Sequence, residues 1–67
     1  MTTFNEYLIE VGLRNLNEKY WRLGQTYFNV LHEMRPDLSE IVRGSTFDPF
    51  YQNGLIPTFL EFVEGAW

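Results

Sequence analysis

The sequence predicts a single all-α domain, a small bundle of three principal short helices with one or two short helical turns. Three observations carry this expectation. Tyr20 to Met34 is the longest stretch with a helical period: Tyr20, Leu23, Gly24, Tyr27, Phe28, Val30, Leu31 and Met34 share one side, and Arg22, Thr26, Asn29 and Glu33 the other. Helix punctuation recurs at Thr3-x-x-Glu6, Pro36, Gly44 and Pro57. No segment alternates apolar and polar residues with the period of two that a half-buried strand requires.

The first helix is predicted to start near Phe4, because Thr3 and Glu6 form a capping box in which each satisfies an orphan backbone donor of the other. Phe4, Tyr7, Leu8 and Val11 share one face. Ile9, Leu13 and Leu16 form a second stripe roughly 140° away at about 100° per residue, so an unbroken helix is apolar on two sides. Either Gly12 breaks the helix and resets the face, or the second stripe meets another surface. Asn15 and Asn17 interrupt the pattern, and Asn accepts N–H bonds at helix starts, which places the start of the main helix between Asn17 and Tyr20. Pro36 disfavours helical geometry at Arg35 and stops it near Met34.

A short helix follows, from Pro36 or Leu38 to Arg43. Asp37-Leu-Ser-Glu40 serves as its capping box, Leu38, Ile41 and Val42 as its buried side, and Gly44 as its left-handed cap. Asp48-Pro49 pairs a good N-cap with a residue favoured at the first helical position, so one turn is expected at Pro49 to Tyr51. Asn53-Gly54 lacks flanking strands and reads as a helix start. The last helix should run from about Leu55 to Glu64, with Ile56, Phe59, Leu60 and Val63 inward, Pro57 in the first turn and Gly65 at the end. The expected core is Leu8, Val11, Leu23, Tyr27, Leu31, Ile41, Phe59 and Leu60, with the main helix between the N- and C-terminal helices.

Composition bounds the function. At 67 residues a single core only marginally offsets conformational entropy, and 18% aromatic content compensates because rings bury much area per ordered residue. The same surplus of rings favours self-association. A net charge of −4 opposes binding to a phosphate backbone, and the acids are too scattered to imitate one, so no nucleic-acid partner is expected. Absence of cysteine excludes disulfides and thiolate zinc sites. MTTFNEYLIE has neither a basic n-region nor an uninterrupted apolar run, and no stretch is long enough to span a bilayer, so a soluble cytoplasmic protein with no membrane partner is expected.

No catalytic, cofactor or metal constellation is predicted. His32 is the lone histidine, at the margin of the apolar face of the main helix, without the further ligands that a metal needs. Gly24, beside Tyr27 and Phe28, is expected to let another helix approach closely. Two surfaces remain for a partner. One is the edge of the main helix, with Trp21, Gln25, Phe28 and His32 in a row at i, i+4, i+7 and i+11. The other is the Ser45 to Tyr51 loop, where Asp48 and Tyr51 stand out and Asp48 also serves as an N-cap. The stripe Ile9, Leu13 and Leu16 is the candidate for self-association into a homodimer.

The run LGQTYFNVLHEMRPDLSEIVRGSTFDPFYQ, Leu23 to Gln52, resembles small uncharacterised proteins of tailed bacteriophages and prophages. In these a GQ…FN.L segment precedes a Pro-initiated short helix, an R-G-[ST] turn and a D-P-F-Y segment. The matching positions are Gly24, Gln25, Phe28, Asn29, Pro36, Arg43, Gly44, Asp48, Pro49, Phe50 and Tyr51, about half of the chain with a looser continuation from Ile56 to Val63. The resemblance implies a phage origin and no particular activity. Together these readings lead to a non-enzymatic protein-interaction module, a phage-encoded modulator or inhibitor of a host protein. The alternative is a small structural or assembly protein acting as a homo-oligomer.

Overall fold

The computed structural model describes residues 2–67 and is all-α, with no strand among the described residues. Helix α1 spans Phe4–Asn17, α2 Leu23–Met34, α3 Pro36–Val42 and α4 Ile56–Ala66, with a 3-10 turn at Asn53–Leu55 leading into α4. The structure is thus the small all-α bundle that the sequence predicts, with the short α3 and one 3-10 turn beside the three longer helices.

Local signals set several boundaries. Thr3 caps α1, its hydroxyl oxygen accepting from the Glu6 N–H at 3.1 Å, so the helix starts at Phe4. Pro36 occupies the first turn of α3, where its missing N–H costs nothing, and separates α3 from α2. Gly44 takes φ 73°, the left-handed conformation that ends a helix without a Cβ penalty. Gly12 does not break α1, which runs through it to Asn17. The main helix then starts later than its apolar pattern suggests, at Leu23, because Asn17 closes α1 by donating from its side chain to the Leu13 carbonyl at 3.0 Å. Tyr20 consequently lies outside any helix, fully in solvent.

Two expected caps are absent for identifiable reasons. Asp37 does not cap α3, since the helix starts two residues earlier than that cap implies, at Pro36 with Arg35 as its N-cap, and the Asp37 carboxylate pairs with the Arg35 guanidinium at 2.9 Å. Residues 49–51 form no helical turn; Gln52 N–H bonds the Pro49 carbonyl at 3.1 Å in a reverse turn, and Asp48 closes the loop as described below. Helix α4 carries on past Glu64, so Gly65 lies within its last turn.

The core is Tyr7 and Val11 from α1, Phe28, Val30 and Leu31 from α2, Leu38 and Val42 from α3, and Phe59 and Val63 from α4. Of the expected core, Val11, Leu31 and Phe59 are buried, and Leu8, Tyr27 and Leu60 pack half-buried against them. Leu23 and Ile41 are instead exposed. Ile41 loses its place because Ser39 takes the inward position of α3, a polar burial made affordable by two hydrogen bonds: its hydroxyl donates to the Pro36 carbonyl at 3.0 Å and meets His32 Nδ1 at 2.9 Å. Thr26, expected on the wet side of α2, is likewise fully buried with its hydroxyl bonded back to the Arg22 carbonyl at 3.3 Å. Leu23, the first residue of α2, is 41% exposed.

The aromatic side chains knit the helices together. Tyr7 is fully buried and its hydroxyl donates to the Tyr27 carbonyl at 2.7 Å, tying α1 to α2. Burial, with Tyr27 nearby, pushes the Tyr7 phenol far above its ordinary value, so it stays a neutral donor. Tyr27 meets the Phe59 ring of α4 edge-on at 6.2 Å, and Trp67 closes over Tyr7 at 5.3 Å. The main helix thus lies against α1 on one side and α3 on the other, while α4 packs on α3 and reaches α2 through the Phe59 ring.

Gly24 does permit a close approach, though of a loop rather than a helix: a Cβ there would collide with the Pro49 carbonyl. Gly24→Ala is therefore expected to destabilise the protein by about 1–3 kcal/mol through overpacking. Gly12→Ala, in the open middle of α1, should stabilise it by up to about 1 kcal/mol, with both read by urea titration of dilute protein.

At the surface, Arg14 of α1 grips Glu33 of α2 with both terminal nitrogens, NH2 to Oε1 at 2.8 Å and NH1 to Oε2 at 2.6 Å. Those bonds hold the Glu33 carboxyl below its ordinary value of 4.5. A lowered folded value contributes stability that is complete above 4.5 and is lost as pH falls through the folded value. Half of Glu33 is exposed, so the contribution is small. In melting experiments, the deficit of Arg14→Gln relative to wild type should be widest above that pH and close in acid.

Candidate functional site

The start of α2 and the segment 49–53 are held together by three contacts. The Gly24 N–H donates to Asn53 Oδ1 at 2.9 Å, the Pro49 carbonyl sits where a side chain at Gly24 would be, and Arg22 donates to the Phe50 carbonyl at 3.2 Å. The Arg22 guanidinium also lies over the Tyr51 ring at 5.8 Å. The other end of the loop is shaped by Asp48. One carboxylate oxygen accepts from the Gly44 N–H at 2.9 Å and the other from the Phe50 N–H at 3.0 Å, so Asp48 braces the whole turn from Gly44 to Phe50 rather than capping a helix. Pro49 is buried beneath it.

This bracing leaves an open groove of about 330 Å³ between α2, the end of α3 and the loop, lined by Phe28, Asn29, His32, Arg43, Asp48, Phe50 and Tyr51. Its walls are aromatic: Phe28 and Phe50 meet edge to face at 5.6 Å, and Phe50 meets Tyr51 at 4.8 Å. Arg43 stands at the rim, over the Phe28 ring at 5.7 Å and 3.5 Å from Glu40. A second concavity of about 610 Å³ lies on the far side of Arg43, Asp48 and Tyr51, floored by Gly44, Ser45, Thr46, Gln52 and Leu55.

The orientation of His32 is fixed by its neighbour. Ser39 commits its single hydroxyl proton to the Pro36 carbonyl, so it must accept from His32 Nδ1, which is then the protonated nitrogen. In the neutral ring Nε2 is left as an acceptor. The groove therefore offers aromatic faces for an apolar side chain, a guanidinium for a carboxylate or carbonyl, and the Asn29 amide and His32 Nε2 for polar contacts.

Of the six residues singled out as partner-binding, Phe28 and His32 from the main-helix edge and Asp48 and Tyr51 from the loop line this one groove. The two surfaces that the sequence presents separately are thus one. Trp21 and Gln25 are not part of the lining; Trp21 falls before the start of α2, which breaks its i, i+4 relation to Gln25. Phe28 belongs to the core as well, with only its edge at the groove. Arg43 joins the lining without having been among the expected binding residues, because an arginine beside a helix-ending glycine carries no spacing signal of its own. Ile9, Leu13 and Leu16 lie elsewhere, exposed along the outer side of α1.

No group of three or more His, Asp or Glu side chains suited to a metal ion occurs among the described residues. No described helix is long and apolar enough to cross a membrane. Comparison with family models, curated proteins and solved structures yields no match in any of the three.

Asp48→Ala is expected to cost about 1–2 kcal/mol, as for a lost cap, since it strips two backbone N–H groups of their acceptor. Asp48→Asn should retain most of that stability. Chemical denaturation of the two variants beside wild type measures the difference.

Proposed function

We propose that the protein is a non-enzymatic protein-interaction module whose groove between α2 and the 44–52 loop takes up a projecting segment of another protein. What supports this reading above all is the convergence of Phe28, His32, Asp48 and Tyr51, from two separate stretches of sequence, on one groove. Aromatic walls with an arginine at the rim are the composition enriched where binding energy concentrates at protein interfaces. The resemblance of Leu23 to Gln52 to small phage proteins extends the reading: the protein acts in the host cytoplasm as a phage-encoded modulator or inhibitor of a host protein. It needs no cofactor and catalyses no reaction in doing so. A second reading, a small structural or assembly protein that works as a homo-oligomer, draws its support from the exposed stripe on α1.

Tyr51 is 76% exposed, so Tyr51→Ala removes a wall of the groove without opening the core. Retention of a host protein from bacterial lysate is compared for wild type, Tyr51→Ala and Arg43→Glu, with melting temperatures in parallel. The expected outcome is a host protein bound by wild type and weakened at least about tenfold by either substitution at unchanged melting temperature. Recovery of nothing beyond the protein itself or a virion component would reject the modulator reading, and full retention by both variants would reject the groove.

A further inference from the structure

The arginines of this chain are not used alike. Arg14 grips Glu33 and Arg35 grips Asp37, each through two hydrogen bonds to one carboxylate. Arg43 has no such partner: its guanidinium makes no hydrogen bond among the described residues and approaches Glu40 only at 3.5 Å, both side chains being more than half exposed. Arg22 gives a donor to the Phe50 carbonyl and pairs with no carboxylate among the described residues. These two arginines rest on rings that wall the groove, Arg43 on Phe28 and Arg22 on Tyr51. In a chain of net charge −4, cationic groups without a bonded carboxylate thus border the aromatic groove. Asp48, the acid in its lining, already accepts the Gly44 and Phe50 N–H groups, which partly offsets its charge. The Asn29 amide, also in the lining, makes no hydrogen bond among the described residues.

We propose that the segment this groove takes up carries an acidic side chain beside a bulky aliphatic one, the aliphatic group lying among the Phe28, Phe50 and Tyr51 rings and the carboxylate on Arg43. This rests on the reading of the groove as a protein-binding site and names the chemistry it selects. The contact is the one that Arg14 and Arg35 make inside the chain, a planar fork of donors meeting two carboxylate oxygens. An aliphatic neighbour is required, because an ion pair on an exposed guanidinium gains little in water, whereas apolar area buried against the rings holds the segment in place. The acid comes from a side chain and not from a chain terminus. A terminal carboxylate is captured by free backbone N–H groups, and those of Gly44 and Phe50 are taken by Asp48. The Asn29 amide and His32 Nε2 are left for the backbone of the segment.

Amide chemical shifts of isotope-labelled protein, followed during titration with acetylated and amidated tetrapeptides, provide the test. The probes are Ala-Leu-Asp-Ala, its neutral counterpart Ala-Leu-Asn-Ala and the basic Ala-Leu-Lys-Ala. The Asp peptide is expected to shift Asn29, His32, Arg43 and Tyr51 and to bind at least about threefold more tightly than the Asn peptide, with the difference shrinking in high salt. Arg43→Gln should erase that preference, and Arg43→Glu should turn it toward the Lys peptide, each with an otherwise unchanged amide spectrum. Equal shifts of the groove by the Asp and Asn peptides, or a wild-type preference for Lys, overturn the acidic selection and leave the groove reading standing. An Asp preference that survives Arg43→Gln overturns Arg43 as the carboxylate's partner. Absence of groove shifts with every peptide at about 10 mM overturns both the selection and the groove as a peptide site.

Discussion

Tyr7 carries a polar oxygen into the driest part of the protein, and the bond it makes there sets how α1 lies on α2. A hydroxyl buried without a partner costs about 1–3 kcal/mol, a large share of what a chain of this size has available. Its acceptor is a backbone carbonyl of α2, that of Tyr27, so the requirement constrains the approach of one helix to the other and not merely a side-chain rotamer. Once Tyr7 is placed, the rings of Phe4, Tyr27 and Trp67 gather around it, and Tyr27 in turn meets Phe59. Three segments distant in sequence are joined by one chain of aromatic contacts. That is how a protein without disulfides obtains enough buried area from so few residues.

The groove is a by-product of the same economy. Because Gly24 has no side chain, the loop around Pro49 can settle directly on the start of α2, and Asn53 and Arg22 fasten it there. Asp48 then gives the loop an internal brace. The result is a concavity whose walls are rigid although most of its residues sit outside helices, the arrangement in which a loop can bind without a large ordering cost on association. The core and the groove share Phe28, so the site cannot change shape without disturbing the packing beneath it.

Several signals that act over one turn were legible and held, namely the Thr3 cap, the stop at Pro36, the left-handed Gly44 and the placement of Pro57, whereas the equally local caps at Asp37 and Asp48 did not. The misplaced core positions depend on packing that one helix turn does not announce. Helix α2 is covered on more than half its circumference, so Thr26 is buried on a flank that the apolar pattern leaves wet. In α3 the inward position goes to Ser39 and not Ile41, a choice decided by His32 and the Pro36 carbonyl rather than by hydrophobicity. The late start of α2 leaves no local mark, since its N-cap, Arg22, makes no side-chain cap bond that a pattern could announce. Half of the groove was visible as aromatic and acidic residues. Its unity was not, since only the fold brings the α2 edge and the 44–52 loop together.

The two ends of the described chain meet: the Trp67 indole donates to the Thr2 carbonyl at 3.0 Å, its ring faces Phe4 and Tyr7, and the Arg35 guanidinium lies over it at 5.2 Å. In sequence order α1 precedes by some fifty residues the ring that covers Tyr7. Until Trp67 joins the fold, Tyr7 and Phe4 lack one wall of their pocket, and both apolar sides of α1 face water. The first helix therefore completes its packing only together with the residue that closes α4, which makes the two ends of the described chain parts of one cooperative unit.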